Sequence, residues 1–138
     1  MFTRILVDFD SRHLSDAATA QVLQIAKAAG ASVTLLVIRA QLDNVMSKSE
    51  EDFIASVKAS VAPQFGVIQR QADALGVPLA LDVSWGDEVE QLLAVIARGG
   101  FDLLVIGKQH TGGLIHAIEG VAWKPAAVRA PIPVLIFP

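Results

Sequence analysis

Asp102-Leu-Leu-Val-Ile-Gly107 runs into Lys108-Gln-His-Thr-Gly-Gly113, then Gly120-Val-Ala-Trp123, and the chain reaches Pro131-Ile-Pro-Val-Leu-Ile-Phe-Pro138. An unbroken apolar run ending on Gly reads as a strand covered on both faces, which is the habit of parallel sheets. A glycine-punctuated loop leading from such a strand to a short helix is how α/β proteins cradle an anion. Gly lets backbone N–H groups approach closely, and the helix N-terminus adds the positive end of its dipole. The stretch therefore sets both the fold class and the place where a ligand would sit.

Working outward, the same alternation fills the chain. Thr3–Phe9 reads as a short apolar strand, and Ser15 caps a helix to Ala29 with Ala18, Val22, Ile25, Ala26 and Ala29 on one stripe and Gly30 as its stop. Ser32–Ile38 is a second strand, β-branched and without alternation. A longer helix starts from Ser47 or Ser49, carries Glu50, Glu51 and Asp52 in its first turn, and reaches toward Leu75. Pro63 lies inside it, which predicts a kink or break near Val61–Ala62. Gly76-Val-Pro turns into a strand at Leu79–Ser84, Gly86-Asp87 opens a helix to Arg98, and Gly99-Gly100 closes it before the strand Asp102–Ile106. A short helix near Val121–Val128 and a strand at Val134–Phe137 complete the string.

Five strands alternating with four helices predict a three-layer α/β domain: a five-stranded parallel sheet with right-handed crossovers and helices on both faces. With strand order 3-2-1-4-5, the ligand crevice falls at the carboxyl ends of the strands flanking the order reversal, at Phe9–Asp10 and Gly107. At 138 residues the whole chain, 1–138, is expected to form a single domain burying about 70% of the surface of its unfolded state.

Composition narrows the function classes. Hydrophobic residues make up 53% and charged residues 18%, which excludes a disordered chain. A net charge of −3 with no Lys/Arg cluster argues against nucleic acid as a partner. Cysteine is absent, so disulfides and thiolate chemistry are excluded, and His13, His110 and His116 have no metal-ligand spacing. No apolar run approaches a membrane span, and Asp8 and Asp10 interrupt the N-terminal apolar stretch before a signal sequence forms. No membrane partner and a cytoplasmic location are the expectation. Gly-x-Ser-x-Gly, Walker A and Gly-x-Gly-x-x-Gly patterns are absent, so the chain is not expected to be an enzyme, with slow ATP hydrolysis as the upper limit.

In Arg4-Ile-Leu-Val-Asp-Phe-Asp10, the Ser15 helix, the Gly86-Asp87 turn, Asp102-Leu-Leu-Val-Ile-Gly107 and Ala130-Pro-Ile-Pro-Val-Leu-Ile136, taken in register, the chain resembles the universal stress protein (UspA-like) family over nearly its full length. The resemblance implies an adenine-nucleotide alpha-hydrolase-like fold, a stress-response or regulatory role, and ATP, ADP or AMP with Mg²⁺ as the candidate ligands. It also implies that Asp10 and Ile38 contact the base while Gly107 and Gly120 frame the phosphates. The family's phosphate motif reads Gly, two residues, Gly, nine residues, Gly, then Ser or Thr. Here Gly107 and Gly120 stand at the first and third Gly, but His110 replaces the second and Val121 the hydroxyl residue. With Trp123, this loop is similar to the degenerate halves of tandem E-type members, which implies another stress-protein domain as a candidate partner.

His110 brings a side chain and a restricted backbone to a position that wants Gly. Val121 removes a donor whose charge-assisted bond to phosphate is worth roughly 1.5–3 kcal/mol. Weakened or lost ATP binding is expected; an ATP- or AMP-dependent switch that tolerates both changes is the alternative. Lys108, His110 and His116 are either cations for a smaller anion or solvated loop residues. Asp10 is either a ligand contact or a helix cap, and Asp8 either a site carboxylate that repels phosphate or a solvated edge. Trp85 and Trp123 read as packing residues. The last strand, Val134, Leu135, Ile136 and Phe137, has no charged residue from Ile132 to Pro138 to blunt a sheet edge, which predicts a homodimer paired through it.

Overall fold

The computed structural model describes residues 1–9, 14–39, 49–108 and 123–138, with Trp123 described by its backbone alone. In chain order the elements are β1 (Arg4–Asp8), α1 (Asp16–Ala29), β2 (Ser32–Arg39), α2 (Glu50–Leu75), β3 (Leu79–Trp85), α3 (Glu88–Gly99), β4 (Leu103–Gly107), α4 (Trp123–Arg129) and β5 (Val134–Phe137). The strands form one sheet in the order β3-β2-β1-β4-β5, and every neighbouring pair is parallel, as the sequence pattern predicts.

Strand periodicity sorts the core into two layers. Ile5, Val7, Val33, Leu35, Leu103 and Val105 meet α1 and α2 through Val22, Leu23, Ala26, Ile68 and Ala72. Their alternates Leu6, Leu36, Ile38, Leu104 and Ile106 meet α3 and α4 through Val89, Leu92, Val95, Ile96 and Ala126. Local chemistry fixes the helix ends. The hydroxyls of Ser15 and Ser49 accept the amides of Ala18 and Asp52, both at 3.1 Å, and the Asp87 carboxylate accepts that of Glu90 at 3.0 Å. Of the two predicted starts for α2, Ser49 is therefore the cap.

Of the kink or break expected near Val61–Ala62, the break does not occur: α2 is continuous from Glu50 to Leu75 with Pro63 inside it. Pro63 removes the amide that would reach the Ala59 carbonyl, but both residues are exposed, so water can take the freed oxygen. Phe53, Val57 and Val61 before the proline, and Ile68 and Ala72 after it, are buried against the sheet or α1. At about 1.5–3 kcal/mol per buried side chain, that anchoring outweighs a proline cost of about 3 kcal/mol.

At the amino edge of the sheet, Asp102 ties β1 to the entry of β4. Its carboxylate accepts the Thr3 amide at 2.8 Å, the Thr3 hydroxyl at 2.9 Å and the Arg4 amide at 3.0 Å. The Arg4 guanidinium lies 4.9 Å from the centre of the Phe101 ring. These contacts hold together the two strands whose opposite ends form the crevice.

Candidate ligand crevice at the switch point

Strand order reverses between β1 and β4: the chain runs outward from β1 to β3, then crosses back to β4 and β5. α1, which follows β1, packs on one face of the sheet and α4, which follows β4, on the other, and parallel sheets with such a reversal carry their ligand crevice at the carboxyl ends of the two flanking strands, here Asp8 and Gly107. Gly107 is the last residue of β4 and pairs with Phe137. The next amide, that of Lys108, donates to the Phe137 carbonyl at 2.9 Å, so β5 fixes the first step of the glycine loop while the Lys108 side chain is exposed. Ile38, 7% exposed, lies on the α3 face of β2 opposite Ser84 of β3.

The structure thus gathers Ile38, Gly107 and Lys108 along one edge of the sheet. Asp10, His110, Gly120 and Val121 lie outside the described residues, as do His13 and His116.

Asp8 corrects one expectation. It is 0% exposed, so it is no solvated edge. Two residues after Leu6, it shares the face that meets α3 and α4, in register with Leu36 on the central strand of the sheet. The period-2 pattern already placed Asp8 with Leu6, but its burial depends on strands and helices far away in sequence.

Sequence reasoning missed a second polar group nearby. Ser84 is 6% exposed and its hydroxyl donates to the Gln91 amide oxygen on α3. Gln91 also lies against Gly86, where a Cβ would come 3.0 Å from its Nε2; Gly86 has φ +132, a conformation side-chain-bearing residues rarely adopt. The Gly86-Asp87 turn is thereby closed over Ser84, with the Gly86 amide donating to the Arg39 carbonyl at 2.9 Å. Trp85 packs edge-on against Phe53, with ring centres 5.3 Å apart at 85°, as expected of a packing residue.

Among the described residues no group of three or more His, Asp or Glu side chains is placed to hold a metal ion, and no helix is long and apolar enough to cross a membrane.

This edge-of-sheet crevice, on a 3-2-1-4-5 parallel sheet, is accompanied by a match to the sequence model of the universal stress protein family over residues 1–138. The chain belongs to the universal stress protein family. Solved structures agree on the fold. A universal stress protein in complex with cAMP is 19% identical, with a TM-score of 0.73 over 99% of this chain and 97% of that one. The universal stress protein UspA from Lactobacillus plantarum is 19% identical, with a TM-score of 0.70 over 99% and 98%. A universal stress protein from Archaeoglobus fulgidus in complex with dAMP is 13% identical, with a TM-score of 0.64 over 100% and 98%. No match was found among curated proteins.

Proposed function

We infer that residues 1–138 form a single universal stress protein domain that works as a non-catalytic regulatory module, binding an adenine nucleoside ligand with little affinity for ATP. The observation that carries this reading is that Ile38 and Gly107 both lie at the carboxyl edge of the sheet beside the order reversal, while the sequence after Gly107 has half of the phosphate motif replaced. Buried Ile38 offers the apolar contact a purine ring needs. Gly107 leaves the start of the loop without a side chain. His110 and Val121 then subtract the close approach and the hydroxyl that a triphosphate requires. Similar proteins of known structure are in complex with cAMP and dAMP, monophosphates whose phosphate demands less of the loop.

Calorimetry with ATP, ADP and AMP in Mg²⁺ tests this reading. The wild type is expected to bind ATP far more weakly than micromolar, and a His110→Gly/Val121→Ser double variant to gain at least tenfold. Micromolar ATP affinity in the wild type refutes the reading and favours a nucleotide-dependent switch.

The output of the module is expected to pass through a homodimer built on β5 or through a second universal stress protein domain. Among the described residues no strand pairs with the outer edge of β5, and Val134, Leu135, Ile136 and Phe137 are all half-buried. Leu135 and Phe137 pack onto the α1–α2 core and Val134 onto the α3–α4 core, so charging any of the three would disturb the fold as well as the edge.

A further inference from the structure

The sheet has two outer edges, β3 and β5, and their chemistry differs. On β3, the Pro78 carbonyl accepts the Val33 amide and the Gly86 amide donates to the Arg39 carbonyl, both at 2.9 Å. Backbone groups alternate sides along a strand, so even-numbered residues from Pro78 to Gly86 turn theirs toward β2, and Leu79, Leu81, Val83 and Trp85 turn theirs outward. Among the described residues no strand pairs with that outward row. Leu79-Ala-Leu-Asp-Val-Ser-Trp85 has the β-prone, weakly charged composition of a strand that recruits another, and Asp82 is its one charged residue. Asp82 is exposed, and its Oδ1 accepts the Val83 amide at 3.1 Å. Because that amide is turned outward, the carboxylate lies along the open edge and occupies a donor that an added strand would need. β5 has no such group, since no charged residue stands between Ile132 and Pro138.

We propose that Asp82 closes the β3 edge to a second copy of the chain, so that strand-to-strand association is confined to β5. An arriving strand has to displace the carboxylate from the Val83 amide and then cover it, and a carboxylate withdrawn from water without a partner is strongly disfavoured. In an antiparallel pairing with its two-fold axis near Asp82, the two carboxylates also meet across the new ladder, where like groups destabilise. The closure matters because a chain with two open edges has no end to its assembly. Pairing through β5 alone stops at two copies, whereas pairing through both edges joins dimers into a growing sheet. The proposal goes beyond the β5 dimer and does not require it. Where β5 pairs, losing Asp82 converts dimers into larger species; where β5 does not, it converts monomers into dimers.

The test is sedimentation velocity across a concentration series on the wild type, Asp82→Val and Asp82→Thr, each with and without Ile136→Pro to block β5. Val and Thr both suit an exposed strand position, so either stands in for the other if one lowers the thermal melt. With β5 blocked, an Asp82 variant is expected to dimerise at least tenfold more tightly than Ile136→Pro alone; with β5 open, species larger than those of the wild type are expected. Ala80 is exposed on the same face of β3, and adding Ala80→Lys is expected to reverse the gain at least tenfold. Folded Asp82 variants that associate no more than their parents overturn the proposal, as does a gain that Ala80→Lys leaves unchanged. A wild type that is monomeric at micromolar concentration sinks the β5 dimer alone, and the Asp82 variants then still decide the β3 edge by forming dimers or not.

Discussion

Replacing Ile136 with proline tests whether the outer edge of β5 joins two copies of the chain. The Leu104 amide donates to the Pro133 carbonyl at 3.0 Å and the Lys108 amide to the Phe137 carbonyl at 2.9 Å. Backbone groups alternate sides along a strand, so residues 133, 135 and 137 turn theirs toward β4, and Val134 and Ile136 turn theirs outward. Proline at 136 deletes an outward N–H and leaves the β4–β5 ladder intact, a setting in which edge strands tolerate proline. In a two-fold symmetric pair the change counts twice. At about 0.5–1.5 kcal/mol per backbone hydrogen bond, the dimer loses about 1–3 kcal/mol, roughly a 5- to 150-fold rise in dissociation constant. Sedimentation velocity across a concentration series reads that shift, and a thermal melt at low concentration checks that the monomer is intact. A variant that dimerises like the wild type refutes pairing through this edge, as does a wild type that is already monomeric at micromolar concentration.

The amino edge of the sheet gives two further tests. Loss of water contact is the largest single influence on the Asp102 carboxyl and raises its pKa, but the hydrogen bonds from the Arg4, Thr3 and Asp102 amides and the Thr3 hydroxyl together bring it below its ordinary value of 3.8. A carboxylate with a lowered folded-state pKa contributes stability above its ordinary pKa and loses it as pH falls through the folded value. Asp102→Asn should therefore lower the melting temperature at neutral pH by roughly 3–5 °C, for about 1 kcal/mol at this solvent-accessible site, and the gap should close below about pH 4. A gap that persists into acid would show that charge is not what Asp102 supplies. Gly99 lies so close to Phe101 that a Cβ would collide with its ring, which is 7% exposed and stacked under Arg4. Gly99→Ala should cost about 1–3 kcal/mol in urea unfolding, and an unchanged midpoint would refute that close approach.

What was legible in the sequence followed from local rules. Ser15, Ser49 and Asp87 cap because an oxygen side chain precedes each helical stripe, and β5 begins and ends where the prolines allow. The parallel sheet was legible because short apolar strands joined by helices demand it, but right-handed crossovers admit more than one strand order, and 3-2-1-4-5 entered as an assumption that the fold bears out. Local rules failed where distant packing decides. Pro63 breaks a helix in isolation, but not one held by buried residues on both sides of it. The Ser84–Gln91 bond joins a strand to a helix across a turn and leaves no periodic trace.

Asp8 shows the same limit in the most informative place. Its own neighbours Val7 and Phe9 call for a strand, and its alternation with Leu6 calls for the core, where a carboxylate is unwelcome. Withdrawing an ion from water costs several kcal/mol before compensation, whereas Ala or Val at this strand position would carry no such penalty. Local pattern, burial and chemistry agree along the rest of β1 and along β4, and they part company at one residue. Such a conflict is expected at functional sites rather than in structural cores. Here it falls beside the order reversal, the place where open parallel sheets generally bind their ligands.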